Sequence, residues 1–217
     1  MKNSVILLLS LSILIVVSSC NQGKAADEKI IEKKTTKVIT DSVKKKVVST
    51  IDTLDYNKRM LAISNNDTTG RWPVKTPYPL PGALLPYNRI IAFYGNLYSK
   101  RMGILGEIPR KQMLKQLQGE VAKWAAADPT VKTIPALHYI AVTAQGAPGK
   151  ENMHRMRMPF KQIDTILSWA KPINALVFLD IQVGHSSVKT EVTQLEQYLA
   201  LPNVHLGIDP EFSLKNG

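Results

Sequence analysis

Thiols are almost missing from this chain: Cys20 is the single cysteine in 217 residues. An intramolecular disulfide is therefore excluded, and a folded domain must rest on its apolar core. Histidine is nearly as scarce. His138, His154, His185 and His205 are too scattered for a local zinc motif, and no H-E-x-x-H occurs. The H-x-x-x-H spacing of polysaccharide deacetylases is missing too. No G-x-S-x-G elbow appears, which removes an α/β-hydrolase serine. The first strand-to-helix turn holds neither G-x-G-x-x-G nor a Walker sequence, so a nucleotide-binding sheet loses its phosphate cradle. Acidic residues are outnumbered, 17 Asp and Glu against 28 Lys and Arg. The basic excess is spread rather than gathered: residues 1–75 carry +6 and residues 76–217 carry +5. Without an aromatic-basic stripe, nucleic acid is not an expected partner.

What the chain does have begins at its front. Lys2 is followed by an apolar run of 13 residues, Val5 to Val17, too short to cross a hydrocarbon core of about 30 Å comfortably. Small residues and Cys20 follow, a secretory pattern. The stretch Val17-Ser18-Ser19-Cys20 resembles the lipobox of bacterial lipoprotein signal peptides, with valine where leucine is usual. The resemblance implies removal of residues 1–19 and acylation of Cys20, hence export and a membrane partner through the lipid. Each buried CH₂ is worth about 0.8 kcal/mol and stable anchoring takes more than one chain, a condition a multiply acylated cysteine meets.

Residues 20–75 read as a basic, disordered tether. Lys24 to Val48 is rich in Lys, Thr, Asp and Glu and too poor in apolar residues to offset its ordering entropy. A short amphipathic helix fits Thr40 to Leu54. Pro73, Pro77, Pro79, Pro81 and Pro86 then make an extended lead-in.

The expected domain spans residues 76–217. Four apolar runs, Arg89–Asn96, Thr133–Gly146, Asn174–Gly184 and Asn203–Phe212, are nearly continuous, as suits strands covered on both faces. Helical stripes lie between them: Met113, Leu114, Leu117, Val121 and Trp124; Phe160, Ile163, Ile166, Leu167 and Ala170; Val188, Val192, Leu195 and Leu199. Strands alternating with helices predict an α/β fold with four parallel strands and right-handed crossovers. The longer βα loops favour half of a (β/α)8, or TIM, barrel over an open sheet. About 130 residues are present where a complete barrel takes about 250. The chain therefore reads as a shortened barrel, or one whose bare sheet edges pair with another copy.

Each expected strand ends in a polar pair at i and i+2, which places both side chains on one side. The pairs are Tyr94 and Asn96, Thr143 and Gln145, Asp180 and Gln182, Asp209 and Glu211. Strand C-termini form the active face of parallel α/β proteins. Neighbouring carboxylates there can divide the roles of acid and base. Glycoside hydrolysis uses such a pair, about 5–5.5 Å apart for retention and roughly 6.5–9.5 Å for inversion. Asp180, Asp209, Glu211 and Glu107 are the candidate catalytic acids. Tyr94, Asn96, Gln145, Gln182, His185 and Arg155 are the candidate substrate contacts. No organic cofactor is expected, although Asp180, Asp209 and Glu211 would suit a divalent cation. His138 and His205 read as structural.

Residues 89–214 also look like secreted bacterial proteins of barrel type, through "AFYGNLYSKRMGILGE", "ALHYIAVTAQG", "LDIQVGHSSV" and "VHLGIDPEF". That likeness implies fold and export and carries no activity. Three functions follow as expectations. The first is a surface or periplasmic lipoprotein with a glycosidase-like site acting on glycan. The second is a non-catalytic binding lipoprotein or inactive fragment. The third is a phosphodiesterase-like barrel using His185 and Arg155.

Overall fold

The computed structural model describes residues 50–71 and 77–214. Cys20, the lipobox and most of the expected tether and of the Thr40–Leu54 helix lie outside the described residues. Within the span assigned to the tether, Thr53–Ile63 forms a helix, α1. Its start is dictated locally: the Asp52 carboxylate caps it by accepting from the backbone N–H groups of Leu54 and Asp55. An Asp55–Arg59 pair one turn apart supports it.

The domain then alternates as expected. Strand β1 (Asn88–Gly95) leads through a short, kinked turn α2 (Ile104–Glu107) into helix α3 (Arg110–Ala127). Strand β2 (Lys132–Ala144) is followed by β3 (Arg155–Arg157) and α4 (Phe160–Ala170). Strand β4 (Leu176–Ile181) precedes α5 (Val188–Gln194) and α6 (Glu196–Leu199), and β5 (Val204–Ile208) comes last. The prolines act where the sequence puts them: Pro109 and Pro159 stand as N-caps of α3 and α4.

The sheet has the order β1-β2-β4-β5, all parallel, with β3 antiparallel to the end of β2. The fold is thus α/β with strands and helices in alternation. The short β3 was not expected; its pairing of Arg155 to Arg157 with Val142 to Ala144 turns a supposed loop into part of the sheet.

The core lies on one side of the sheet. Leu137, Tyr139, Ala141, Val177, Leu179 and Ile181 pack against Met113, Leu117, Ile163 and Ile166 of α3 and α4. Burying one such side chain is worth about 1.5–3 kcal/mol. The period of two then sends the alternate residues, among them His138, Phe178, Asp180 and His205, to the opposite side. Four of these form a cross-strand row. Tyr94, His138, Phe178 and His205 are register partners, with ring centroids 5.0, 5.5 and 5.3 Å apart in turn.

Candidate functional site

At the C-terminal ends of the strands, four of the expected residues meet. The Tyr94 hydroxyl lies 3.3 Å from Asp180 Oδ2 and 3.3 Å from Asp209 Oδ2. The two carboxylate oxygens are therefore at most about 6.6 Å apart. Gln182 closes the cluster: its Nε2 donates to Asp209 Oδ2 at 3.0 Å and to the Tyr94 oxygen at 3.2 Å. Its Oε1 in turn accepts from the Thr143 hydroxyl and the Ala144 N–H, which locks the amide against the end of β2. Strands β1, β4 and β2 and the residue just past β5 thus each contribute.

Burial sorts the two acids. Asp180 is 1% exposed, whereas Asp209 is partly open at the rim. Asp209 is therefore the more accessible of the two, and the Tyr94 hydroxyl touches both. Burial pushes the Tyr94 phenol well up, and the Asp180 and Asp209 carboxylates push it further. It therefore keeps its proton at neutral pH and acts as a hydrogen-bond donor. One phenolic proton faces two carboxylates, so the hydroxyl can donate to either.

One further residue beside the cluster, in the middle of β2, is one that sequence reasoning set aside. His138 Nε2 stands 3.5 Å from Asp180 Oδ1, and neither atom has a hydrogen-bond partner among the described residues. Gly207, opposite Asp180 in β5, makes the approach fit. A Cβ there would lie 2.8 Å from Asp180 Oδ1 and 2.9 Å from His138 Nε2. The signal for His138 was its place between Leu137 and Tyr139, two core residues that force it to the other face.

The other candidates fall elsewhere. Glu211 belongs to a 3-10 turn, Pro210–Phe212, not to β5. The strand ends at Ile208, so the i, i+2 rule does not carry past Asp209, and Glu211 is exposed outside the cluster. Glu107 is exposed on α2. Asn96 is buried in a structural role: its amide donates to Ile140 O, and its Oδ1 accepts from the N–H groups of Tyr98 and Ser99. Gln145 bonds its own loop at Ala147 O. His185 lies against His154, ring centroids 4.6 Å apart.

Arg155 is no free anion clamp. It is 3% exposed, and its guanidinium bonds Glu191 at 2.9 Å and Glu151 at 2.6 Å. Arg157 also grips Glu191, at 2.6 and 3.0 Å, and Ser186 donates to it at 2.5 Å. Burial works to raise the Glu191 carboxyl, but the bonds from Arg157, Ser186 and Arg155 outweigh it and hold it below the usual glutamate range. This fully buried glutamate was hidden in the sequence, because nothing local matches it to arginines 34 and 36 residues away.

Among the described residues no three His, Cys, Asp or Glu side chains are grouped to hold a metal ion, and Asp180, Asp209 and Glu211 do not form the expected trio. A cleft of about 580 Å³ opens at the opposite end of the strands, lined by Arg59, Ile63, Leu85, Arg89 and Asp128. Its charges are already spent on one another and on Asp55, so it offers less chemistry than the small polar cluster. Comparison with family models, curated proteins and solved structures returned no match, so the reading of the site rests on its own geometry.

Proposed function

We propose that this is an exported, lipid-anchored protein whose domain is a half-barrel of βα units with a glycoside-hydrolase-like site, built on Asp209, Tyr94, Gln182 and Asp180. The observation that carries the reading is the Tyr94 hydroxyl held 3.3 Å from both carboxylates, which keeps their nearest oxygens no more than about 6.6 Å apart, a bound that admits the roughly 5–5.5 Å of a retaining pair. Asp209 is the acid that meets the glycan. It gives its proton to the leaving oxygen as the glycosidic C–O bond breaks. The water whose oxygen bonds to the freed carbon gives one proton to the Tyr94 oxygen as Tyr94 passes its own to the Asp180 carboxylate, and the reverse relay through Tyr94 then restores the proton to Asp209. Gln182 fixes the orientation of Asp209 and Tyr94. The export half of the reading is supported by Val17-Ser18-Ser19-Cys20.

A second reading, a non-catalytic glycan-binding lipoprotein, is favoured by the deep burial of Asp180 and by a cluster that satisfies much of its hydrogen bonding internally. The phosphodiester alternative loses its cation, because Arg155 is committed to Glu191 and Glu151.

Turnover on a panel of cell-envelope and plant polysaccharides separates the first two. Hydrolysis by the wild type that falls at least about a hundredfold in Asp209→Asn and in Tyr94→Phe supports the enzyme, since removing a positioned acid costs about 10²–10⁴-fold. Binding without turnover, retained in Asp180→Asn, supports the second reading. Undiminished hydrolysis in Asp209→Asn rules out the proposed acid.

A further inference from the structure

The catalytic reading uses one oxygen of Asp180 and leaves the other unexplained. Asp180 Oδ1 is buried without a hydrogen-bond partner among the described residues, and so is His138 Nε2, 3.5 Å away. An orphaned buried acceptor costs about 1–3 kcal/mol, and more when charged. Two such atoms facing each other satisfy one another if the imidazole carries its proton on Nε2. The reverse tautomer would set a nitrogen lone pair against a carboxylate.

The surroundings point the same way. The His138 ring is held edge-on to Tyr94 and is flanked by Phe178, so its rotation is restricted on both sides. The titratable groups on this face are Tyr94 of β1, Asp180 of β4, His205 of β5 beyond Phe178, and Asp209 behind Tyr94. Asp180 is the acceptor that approaches His138 Nε2. Gly207 brings the β5 backbone over the pair without a side chain to part them.

We infer that His138 is the positioning residue of Asp180: its Nε2–H holds Asp180 Oδ1 so that Oδ2 is presented to the Tyr94 hydroxyl. The order His138, Asp180, Tyr94, Asp209 then runs from beneath the site to its rim, across β2, β4, β1 and the end of β5. This role rests on the proposed acid site, but its test needs no substrate.

Ring-nitrogen NMR of the ¹⁵N-labelled full chain identifies the neutral tautomer of each histidine. The His138 signals are assigned by their loss in His138→Gln. His138 in the wild type is expected as a single Nε2–H tautomer. Asp180→Leu, which removes the acceptor, releases it to a mixture of tautomers. Asp180→Asn, whose amide oxygen still accepts, restores the single form, and Tyr94→Phe leaves it in place. An Nδ1–H tautomer in the wild type overturns the inference, as does an unchanged His138 spectrum in Asp180→Leu. Should Asp180→Leu fail to fold, the wild-type tautomer alone decides. A polysaccharide panel without turnover together with an Nε2–H His138 would remove the enzyme reading and leave this pairing standing.

Discussion

Asp180, at the scale of single residues, has neighbours on three strands that meet it from different directions. Tyr94 reaches one oxygen, His138 approaches the other, and Gly207 supplies room. The room is the most easily removed of these. Gly207→Ala puts a methyl carbon inside normal contact distance of both Asp180 Oδ1 and His138 Nε2. Overpacking of this kind costs about 1–3 kcal/mol. We expect a lowered urea midpoint with unchanged m, together with displaced His138 and Asp180 resonances. A stability equal to the wild type, with those resonances unmoved, would mean that the backbone of β5 stands further from the pair. The polar strand-end residues were legible as single letters at strand tips. Which of them converge was not: Tyr94, Gln182, Asp180 and Asp209 meet, while the Asn96 and Gln145 side chains bond the backbone of their own loops.

Among the elements, β3 shows how a segment that looks like a mobile lid becomes rigid. "ENMHRMRM" is polar and basic, a composition common in solvated loops. Arg155 and Arg157 share one side of β3, and both reach Glu191 in the first turn of α5. Gly184, at φ +58°, supports the contact from below: a side chain there would collide with Met153 O at 2.5 Å. Removing one partner of a buried pair leaves an uncompensated charge and costs about 3–5 kcal/mol. Glu191→Ala should therefore lower stability by that amount, read by denaturant unfolding. The sign of its pH dependence follows from the depressed Glu191 carboxyl. Its contribution is present above the unfolded-state glutamate pKa and is lost as pH falls through the lower folded value. Acid unfolding of the wild type should thus outrun that of Glu191→Ala, narrowing the gap between them. A gap that stays constant down to strongly acidic pH would show that Glu191 contributes no proton-linked stability.

The whole molecule presents a four-strand parallel path with β1 and β5 at its two ends. Among the described residues no further strand pairs with the outer side of β1 or β5, and bare parallel edges favour pairing with further strands. The proposed lipid anchor is tested at this scale as well. Expressed in a bacterial host, the wild type should fractionate with membranes and carry acyl chains by mass spectrometry, whereas Cys20→Ala should lose the acyl chains. An unacylated wild type that is nevertheless exported would reduce the front of the chain to a plain secretory signal.

By itself the sequence determined the alternation of strand and helix, because continuous β-branched runs and 3.6-residue stripes are local properties that core burial enforces. It also marked Asp180 and Asp209 as acids at strand tips. Only the tertiary structure decided that Tyr94 stands between them, that His138 lies beneath, that Glu211 falls outside, and that Arg155 and Arg157 are spent on Glu191. Those outcomes depend on cross-strand register and on where each strand stops. Both are set by contacts such as those between residues 34 and 115 positions apart, whose pairing a local pattern does not encode.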